Sequence, residues 1–523
     1  MIRRHVASRT ARLFIALSIV LAGALPAIAQ TLPAFPGAEG FGAIATGGRG
    51  GRVLHVITLD PDPAGINGGV AGAPNAGSLN WALRQPGPVQ IVFDVSGVMD
   101  GVAYVRTNDV TVAGQTSPGG IIVRGIVCGV HYGGIPCDNL ILRHLRSRPA
   151  CQLTAAGADC PAGDDALRLD GMHRAMIDHV SLANANDETV QLSWASDVTI
   201  QESILGEVDG SHALYGGILM NYAADAYPLD RISVVRNLWY RIKGRLPEIL
   251  CESSAQDDVP PRRIAACQDN ALNLELANNL YFDPYYPMTY GRWVDGDPAN
   301  GQFRLHMNLV GNRFVVRPDF PYGIADTALI ANEPGDPPSA NSLYVSDNRL
   351  SRHPALADYA LFYCCNDFPP SPDGNQNPGT AERRATRHPF PAIAYLPGDE
   401  LVTVLTPRVG ALPHDPMDRR YAAAVLAGEF AGLPHEIPAA NDALDLDFDP
   451  AQPPPAPPDS DADGMPDAFE LRHGLDPGAN DANGTTLSLP LLGIAGYTNI
   501  EVYFALLAAE RLRGDDIFRN GFE

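Results

Sequence analysis

Two acidic pairs and one arginine are the residues of this chain best suited to chemistry. The pairs are Asp164-Asp165 and Asp187-Glu188, whose second members are 23 residues apart, and Arg245 follows downstream in an Arg-Leu-Pro turn. That spacing is about one coil of a parallel β-solenoid. If the chain winds that way, the pairs stack on one face, where carboxylate oxygens could hold a hard divalent cation. A cation beside an arginine suits an acidic sugar as substrate, so the pattern predicts an enzyme.

Short strand-like runs must position these residues. They are rich in Val, Ile and Leu, each is followed by a polar turn, and they span 90–95, 110–114, 140–144, 175–179, 198–202 and 232–237. No helical pattern separates them, which disfavours βαβ architecture. Asparagine-led segments also recur at 237, 279, 312 and 348, at intervals of 42, 33 and 36 residues. The repeats predict an all-β parallel β-helix, and a β-sandwich with Asn-containing turns is the alternative.

The two ends of such a solenoid need covering. Ser78 is suited to N-cap a short helix that places Leu79, Ala82 and Leu83 on one apolar face over the first coil. After about residue 351 the strand pattern gives way to Pro-rich segments, which we expect to wrap the solenoid within a single large domain of residues 30–449. Residues 450–458 then form a stiff Pro-rich linker.

The N-terminus and the charge balance restrict where the protein works. Basic residues, an apolar run over 13–25 and Ala27-Ile28-Ala29 predict a secretory signal over residues 1–29. No later stretch reaches about 18 uninterrupted apolar residues, so we expect an exported, soluble protein without a membrane span, and retention at the cell surface stays open. A formal net charge of −23 argues against nucleic acid as a partner. We expect a monomer.

Eight cysteines fit an exported protein. Their spacing predicts local disulfides 128–137, 151–160 and 251–267, whereas Cys364 and Cys365 could pair with each other or stay free. A zinc site is the rival interpretation, but no Cys-x-x-Cys pair with matching histidines occurs.

A second acidic motif follows the linker. Carboxylates occupy positions 1, 3, 5, 9 and 12 of a twelve-residue loop, namely Asp459, Asp461, Asp463, Asp467 and Glu470. Gly464 stands at position 6, where such a loop turns sharply, so the spacing predicts a calcium site, with a solvated acidic linker as the alternative. Residues 459–510 look similar to dockerin and thrombospondin type 3 modules. The second loop, at 481–484, is interrupted by an apolar insertion, so one ion is expected. Residues 511–523 have no fold-level interpretation.

Several motifs resemble one enzyme family. The segments 34–42, 46–51, 77–79, 112–119 and 177–181 are similar to motifs of the bacterial pectate lyases of polysaccharide lyase family 1, in order, from about residue 34 to about 315. The resemblance implies a right-handed parallel β-helix that cleaves polygalacturonate, a demethylated pectin, by calcium-assisted β-elimination. The product would be unsaturated oligogalacturonides.

The resemblance also implies roles for the acidic pairs. Asp165 and Asp187 correspond to calcium ligands, and Gln191 stands where the family often has a carboxylate. Asp164 and Glu188 are near enough to substitute. Because an amide at Gln191 removes one negative charge, we expect weak binding of the ion until substrate completes its coordination.

Basic residues complete the implied site. Arg245 matches the arginine that the family is thought to use as base, but arginine rarely deprotonates, so an electrostatic clamp is the alternative. His212, Lys243 and Arg236 are candidates for binding sugar carboxylates. His179 follows a family motif and is interpreted as a structural, hydrogen-bonded histidine.

The chain also departs from the family pattern. Residues 182–186 replace a usual Ser-Trp pair, and no second arginine follows the Arg-x-Pro turn, where the chain runs through 248–251. These changes bear on the exact uronide. A pectin lyase, a lyase for another uronide and a non-catalytic polysaccharide-binding β-helix are therefore alternatives. The acids argue against the first, and Arg245 beside stacked acids argues against the last.

Overall fold

Three long parallel β-sheets dominate the structure, a computed structural model. It describes residues 32–62, 75–129, 137–150, 165–208, 216–252, 264–284, 288–291, 303–318, 329–332, 341–364, 381–430, 432 and 442–514. Strands and helices are numbered along the chain. The signal segment 1–29, Asp164, His212 and the cysteines at 151 and 160 lie outside the described residues.

The first sheet has eleven strands among the described residues. They are β1 (Arg52–Val56), β2 (Val89–Phe93), β5 (Val110–Ala113), β8 (Asp138–Arg143), β11 (His173–Asp178), β14 (Ser196–Gln201), β17 (Asp230–Val235), β20 (Ala271–Ala277), β23 (Arg304–Val310), β26 (Ser342–Ser346) and β29 (Glu382–Arg383).

The second and third sheets have nine strands each in the described part of the chain. The second contains β3 (Gly97–Met99), β6 (Ile121–Val123), β9 (Arg146–Ser147), β12 (Ser181–Leu182), β15 (Ile204–Leu205), β18 (Leu238–Tyr240), β21 (Leu280–Phe282), β24 (Arg313–Val315) and β27 (Arg349–Leu350). The third contains β4 (Ala103–Tyr104), β7 (Ile126–Gly129), β10 (Leu167–Asp170), β13 (Val190–Ser193), β16 (Ile218–Met220), β19 (Glu248–Ile249), β22 (Met288–Gly291), β25 (Leu329–Asn332) and β28 (Phe362–Cys364).

The helices are few and lie at the periphery of the sheets. They are α1 (Leu79–Ala82), α2 (Ile264–Asp269), α3 (Leu401–Leu405), α4 (Pro416–Ala427), α5 (Asp467–His473), α6 (Ser488–Leu492) and α7 (Asn499–Arg513). Short 3-10 turns occupy Phe41–Ile44, Gly114–Thr116, Asp358–Leu361 and Gly398–Glu400. Among the described residues, no helix is both long enough and apolar enough to cross a lipid bilayer.

The chain visits the first, second and third sheets in turn, and each strand pairs in parallel with its counterpart one coil away. In the third sheet, Leu167 of β10 lies opposite Val190 of β13. The predicted right-handed parallel β-helix is confirmed, and the β-sandwich alternative is wrong, because these sheets contain parallel pairings between successive coils.

Inward-facing side chains form the core by stacking along the helix axis. Leu142, Ile177, Ile200, Val234 and Leu276 occupy matching positions of five successive coils and are almost fully buried. Burial of one such side chain contributes about 1.5–3 kcal/mol. The alternating outward positions are therefore free to carry polar groups.

The recurring asparagines form a buried hydrogen-bonded ladder. The Nδ2 of Asn237 donates to Oδ1 of Asn279 at 3.1 Å, Asn279 donates likewise to Asn312 at 3.2 Å, and Asn312 to Asn348 at 2.9 Å. A buried amide is costly unless its donors and acceptors are paired, and stacking in register supplies the partners. The repeat seen in the sequence thus marks one turn per coil.

The cap over the first coil is confirmed. Oγ of Ser78 accepts a hydrogen bond from the backbone N–H of Trp81 at 3.0 Å, as an N-cap should. Leu79, Ala82 and Leu83 are buried in the main core. The open end of the solenoid is covered by the predicted apolar face.

The solenoid continues past residue 351, farther than the sequence pattern indicates. Strands β28 and β29 still pair in parallel with β25 and β26. The chain then wraps the solenoid: α4 packs on the second sheet, where the ring of Tyr421 stacks on that of Tyr240 with centroids 4.2 Å apart. Buried Arg148 binds Asp415 and Asp418 of the wrapping segment.

The C-terminal module lies against the solenoid. Met465 shares a buried cluster with Val92 and Ala113, which belong to the first sheet. At its edge, Nε of Arg49 lies 2.7 Å from Oε1 of Glu501. The Pro-rich segment 450–458 therefore leads to a docked module.

Two of the three predicted disulfides are present among the described residues. Cys128 is bonded to Cys137, and Cys251 to Cys267. Both close short local loops beside strands of the third sheet, which is consistent with an oxidising compartment.

Candidate active site

Asp165, the pair Asp187-Glu188 and Arg245 each lie just before a strand of the third sheet. Asp165 stands two residues before β10, Glu188 two residues before β13, and Arg245 three residues before β19. The backbone N–H of Ala166 donates to the carbonyl oxygen of Glu188 at 3.0 Å, which places Asp165 and Glu188 in adjacent coils. The 23-residue spacing therefore stacks these side chains as predicted.

Three carboxylates converge at this edge. Asp165, Asp187 and Glu188 each have an oxygen within 4.8 Å of the other two. Asp165 and Glu188 are buried, whereas the side chain of Asp187 is 26% exposed and opens the cluster to solvent. Oδ1 of Asp165 also accepts the backbone N–H of Glu188 at 3.1 Å, which holds the two coils in register. We call these three residues the acidic cluster.

Arg245 lies against the acidic cluster. Its Nη1 contacts Oε1 of Glu188 and lies 3.7 Å from Oδ1 of Asp187, while its Nε lies 3.3 Å from Oε2 of Glu248. Its φ of 57° is in the left-handed region, which costs an L-residue about 1–2 kcal/mol. This strained conformation and the carboxylate contacts fix the guanidinium beside the cluster.

Gly217 allows this close approach. The backbone N–H of Ile218 donates to the carbonyl oxygen of Arg245 at 2.7 Å. A Cβ on Gly217 would come within 1.9 Å of that same oxygen. Any larger residue here would push apart the coils that bring Arg245 to the acids.

A second guanidinium, which the sequence analysis missed, borders the cluster. Nη1 of Arg168 lies 3.1 Å from Oδ2 of Asp165, and its Nε lies 2.6 Å from Oδ2 of Asp170. Strand alternation was the available signal, since Leu167 and Leu169 face the core and Arg168 must face outward. Two arginines thus border the cluster, Arg168 from the coil of Asp165 and Arg245 from a coil farther along the solenoid.

Gln191 lies in the same outward row but is engaged elsewhere. It is opposite Arg168 in register, and its Nε2 donates to Oγ of Ser193 at 2.5 Å and to Oδ1 of Asn221 at 2.7 Å. These two hydrogen bonds fix the orientation of the side-chain amide of Gln191. Gln191 can reach a cation in the cluster only through its carbonyl oxygen, a neutral ligand.

The predicted carboxylate-binding residues have different placements. Lys243 is buried two residues before Arg245. Arg236 directly follows β17 of the first sheet. Its guanidinium lies 2.7 Å from a carboxylate oxygen of Glu39 and 2.9 Å from one of Glu202. The structure therefore does not bring Arg236 to the acidic cluster, because two carboxylates hold it on another face.

His179 is held by two acids at a different turn. Nδ1 lies 3.0 Å from Oδ1 of Asp178 and Nε2 lies 3.2 Å from Oε2 of Glu202. Burial by itself lowers the pKa of His179, but Asp178 and Glu202 outweigh it and raise the pKa to about 9. The placement agrees with a structural histidine.

The C-terminal acidic loop forms a second convergent group. Asp459, Asp461 and Asp463 have oxygens within 4.8 Å of one another, and Asp463 forms a like group with Glu470 and Asp481. We call these five residues the C-terminal acidic loop. Asp481 comes from the interrupted second loop and was not assigned to this site from the sequence.

Asp467 has a different role from the one its loop position predicts. Its two carboxylate oxygens accept hydrogen bonds from the backbone N–H and the hydroxyl of Ser460, each at 2.7 Å. It is absent from both convergent groups of the described residues. Asp467 therefore holds the loop backbone, and Asp481 supplies the additional carboxylate.

Crowding changes the protonation of the C-terminal acidic loop. Burial and neighbouring carboxylates raise the pKa of Glu470 to about 8 and that of Asp463 to about 6. Both shifts report that ionised carboxylates repel one another in this loop when only protein groups surround them.

Fold and site define a parallel β-helix with carboxylates and arginines at the entry to one sheet. No family model matches the chain. It is 28% identical over 488 residues to a probable pectate lyase C of Aspergillus flavus, covering 91% of this chain and 94% of that protein. It is equally identical over 506 residues to a probable pectate lyase C of Aspergillus fumigatus, covering 93% and 97%.

A solved pectate lyase from Bacillus sp. N165 in complex with trigalacturonate is 12% identical to this chain. It matches 72% of this chain and 98% of its own, with a TM-score of 0.42. The curated relatives agree with the resemblance to pectate lyases stated from the motifs. Those two relatives are fungal, whereas the motifs were compared with bacterial members.

Proposed function

We propose that this protein is a secreted polysaccharide lyase, a pectate lyase that cleaves polygalacturonate by calcium-assisted β-elimination. The observation that carries the proposal is the convergence of Asp165, Asp187 and Glu188 beside Arg245. Relatives named as probable pectate lyases that align along most of the chain support it. The signal segment 1–29 supports export, and we expect the mature chain to act as a monomer.

The donor set of the acidic cluster fits calcium. All three side chains offer carboxylate oxygens, which a hard cation prefers, and the 26% exposure of Asp187 leaves room for a further ligand from substrate. When bound there, calcium would neutralise a uronate carboxylate and so make its neighbouring C–H more acidic. Gln191 would add at most a neutral oxygen.

Arg245 acts on the substrate from the rim of the cluster. β-Elimination removes the proton at C5 of a uronate, places negative charge next to its carboxylate and expels the C4 oxygen. Arg245 is positioned either to accept that proton or to stabilise the developing charge while another group accepts it. Glu188 and Glu248 hold the guanidinium in place for either role.

Secondary contacts extend the proposed substrate site. Arg168 offers a second positive charge one coil away from the acidic pair at 187–188. Lys243 and His212 remain candidates for binding uronate carboxylates. The net charge of −23 makes local positive groups necessary for a polyanionic substrate to approach.

One assay tests the proposal. The purified protein is incubated with polygalacturonate in calcium or in excess chelator, and unsaturated uronides are followed by ultraviolet absorbance. We expect product in calcium and none in chelator. A folded protein without product in calcium would overturn the proposal, and binding without cleavage would favour a non-catalytic polysaccharide-binding β-helix.

The choice of substrate separates the remaining alternatives. Highly methyl-esterified pectin offers few carboxylates, so a calcium-dependent enzyme should cleave it poorly. Efficient cleavage of methyl-esterified pectin in chelator would instead identify a pectin lyase. Preference for a different polyuronide would identify a lyase that carries out the same elimination on another substrate.

A further inference from the structure

Glu470 is an acidic side chain of the C-terminal acidic loop, outside the proposed active site. It is fully buried, and neither carboxylate oxygen has a hydrogen-bond partner. It points into a group that also contains Asp463 and Asp481, with oxygens within 4.8 Å of one another. An unpaired buried carboxylate among other acids is strongly unfavourable, so a cation is the partner that this geometry lacks.

The loop backbone is arranged to present these oxygens. Oδ2 of Asp459 accepts the N–H of Gly464 at 2.9 Å, and Oδ2 of Asp463 accepts the N–H of Asp481 at 3.0 Å. The second bond ties the two halves of the module together across 18 residues. Hard oxygen donors in this number suit calcium, since other candidates such as zinc prefer nitrogen or sulfur ligands.

The same loop is the surface by which the module contacts the solenoid. A Cβ on Gly464 would lie 2.8 Å from Cδ1 of Ile500 and 2.9 Å from Cγ1 of Val53, so the loop fits between module and first sheet. Nε2 of His55 on β1 lies 3.3 Å from the carbonyl oxygen of Ala462. The shape of the loop therefore decides whether the module can dock.

We propose that one calcium ion binds Asp459, Asp461, Asp463, Glu470 and Asp481 and clamps the C-terminal module onto the first coils of the solenoid. The ion holds the loop in the conformation that contacts Val53 and His55. This site is separate from the acidic cluster of the third sheet. Its role is to stabilise the N-terminal end of the solenoid, independently of any reaction.

Calcium binding is measured by calorimetry on the full chain carrying Asp187→Asn, which weakens the acidic cluster, at calcium concentrations too low to fill that cluster. We expect one binding event, weakened about tenfold or more by Glu470→Gln and by Asp481→Asn. Asp445→Asn is the matched control, since it removes the same charge from an exposed position of the wrapping segment, and its affinity should equal that of the parent. Unchanged binding in both Glu470→Gln and Asp481→Asn would overturn the site.

Hydrogen exchange tests the clamp. At calcium about a hundred times the measured Kd, opening that releases the ion should become about a hundredfold rarer, so exchange in 52–56 and 464–471 should slow accordingly. Glu470→Gln and Asp481→Asn should lose this calcium dependence, whereas Asp445→Asn should keep it. Binding without any change of exchange in 52–56 would overturn the clamp while leaving the lyase proposal untouched.

Discussion

The two acidic sites differ in how their negative charge is balanced. Arg245 and Arg168 contact the carboxylates of the acidic cluster on the third sheet. No arginine or lysine in the described part of the chain forms a salt bridge with the C-terminal acidic loop, where Glu470 is buried without a partner. Two arginines partly neutralise the first site, whereas at the second the described residues provide a histidine, His55, whose Nε2 lies 3.8 Å from Oδ2 of Asp459.

This difference in charge balance matches the two roles that we propose, catalytic for the first site and structural for the second. A cluster already bordered by arginines can persist without a cation, and Asp187 keeps it open to solvent, so an ion can be shared with substrate. In the C-terminal acidic loop Asp463 and Glu470 are buried, whereas Asp459, Asp461 and Asp481 are partly exposed. Under the two proposals, an ion at the first site is shared with substrate, and an ion at the second serves the structure.

The largest expected effect comes from Arg245→Ala. It removes a group that acts on developing charge, so kcat on polygalacturonate should fall about a thousandfold, measured by ultraviolet absorbance. Arg231→Ala, which removes a partly exposed arginine of the first sheet, should have no such effect. Activity above about a tenth of the parent value, with folding intact by circular dichroism, would exclude Arg245 from the reaction.

A smaller effect distinguishes the two acidic sites directly. Glu188→Gln should raise the calcium concentration for half-maximal activity by about tenfold to a hundredfold, because it removes one charged ligand. Glu470→Gln should leave that concentration unchanged, since its carboxylate lies in the other site. Equal shifts in both variants would show that the sites are coupled rather than separate.

Gln191→Glu should act in the opposite direction to Glu188→Gln. An added carboxylate beside the cluster should lower the calcium needed for half-maximal activity by about threefold to tenfold. Asn221 can rotate its amide to donate to the new carboxylate, so the local bonding is retained. Gln452→Glu on the exposed linker is the control, and a calcium requirement that does not fall in Gln191→Glu would mean that residue 191 does not face the ion.

The smallest expected effect is a pH trend in the C-terminal acidic loop. The pKa of Glu470 is raised to about 8, so the folded state binds its proton more tightly than the unfolded state does. The resulting stability is fully present below the unfolded pKa near 4.5 and is lost as pH rises through about 8. In chelator, the Tm of the parent relative to Glu470→Gln should therefore fall between pH 5 and pH 8, by about a few degrees.

Bound calcium should remove this pH dependence of the relative Tm. With the ion bound, Glu470 stays ionised across this range, so the relative Tm should become nearly independent of pH. A pH trend that is the same in calcium and in chelator would contradict the placement of an ion beside Glu470. Glu188→Gln, tested in the same way, serves as the comparison from the other site.

Much of the solenoid could be predicted because its physics is local and repeated. Alternating apolar residues define strands, asparagines mark one turn per coil, and the interval between Asp165 and Glu188 equals one coil. Such regularities must be written into the sequence, since each coil packs only on its neighbours. The stacked acids, the cap at Ser78 and two disulfides followed from this reasoning.

Other relations appeared only in three dimensions. Arg236 is bound by Glu39, which is 197 residues away in sequence, and Asp481 joins Asp463 across an interrupted loop. The solenoid also extends to Arg383, because β29 pairs in parallel with β26. The Pro-rich composition of this region gave no sign of that pairing. Neither composition nor spacing specifies which charged group a folded segment will meet.

The sequence by itself therefore determined the repeating architecture and the residues that carry the proposed chemistry, because both depend on period and residue type. Only the tertiary structure decided which charges neutralise which, with Arg168 and Arg245 at one acidic site and, among the described residues, His55 beside Asp459 at the other. The physical reason is that loops of variable length lie between the coils. They make distance along the chain a poor guide to distance in space, and electrostatic interactions depend on the latter.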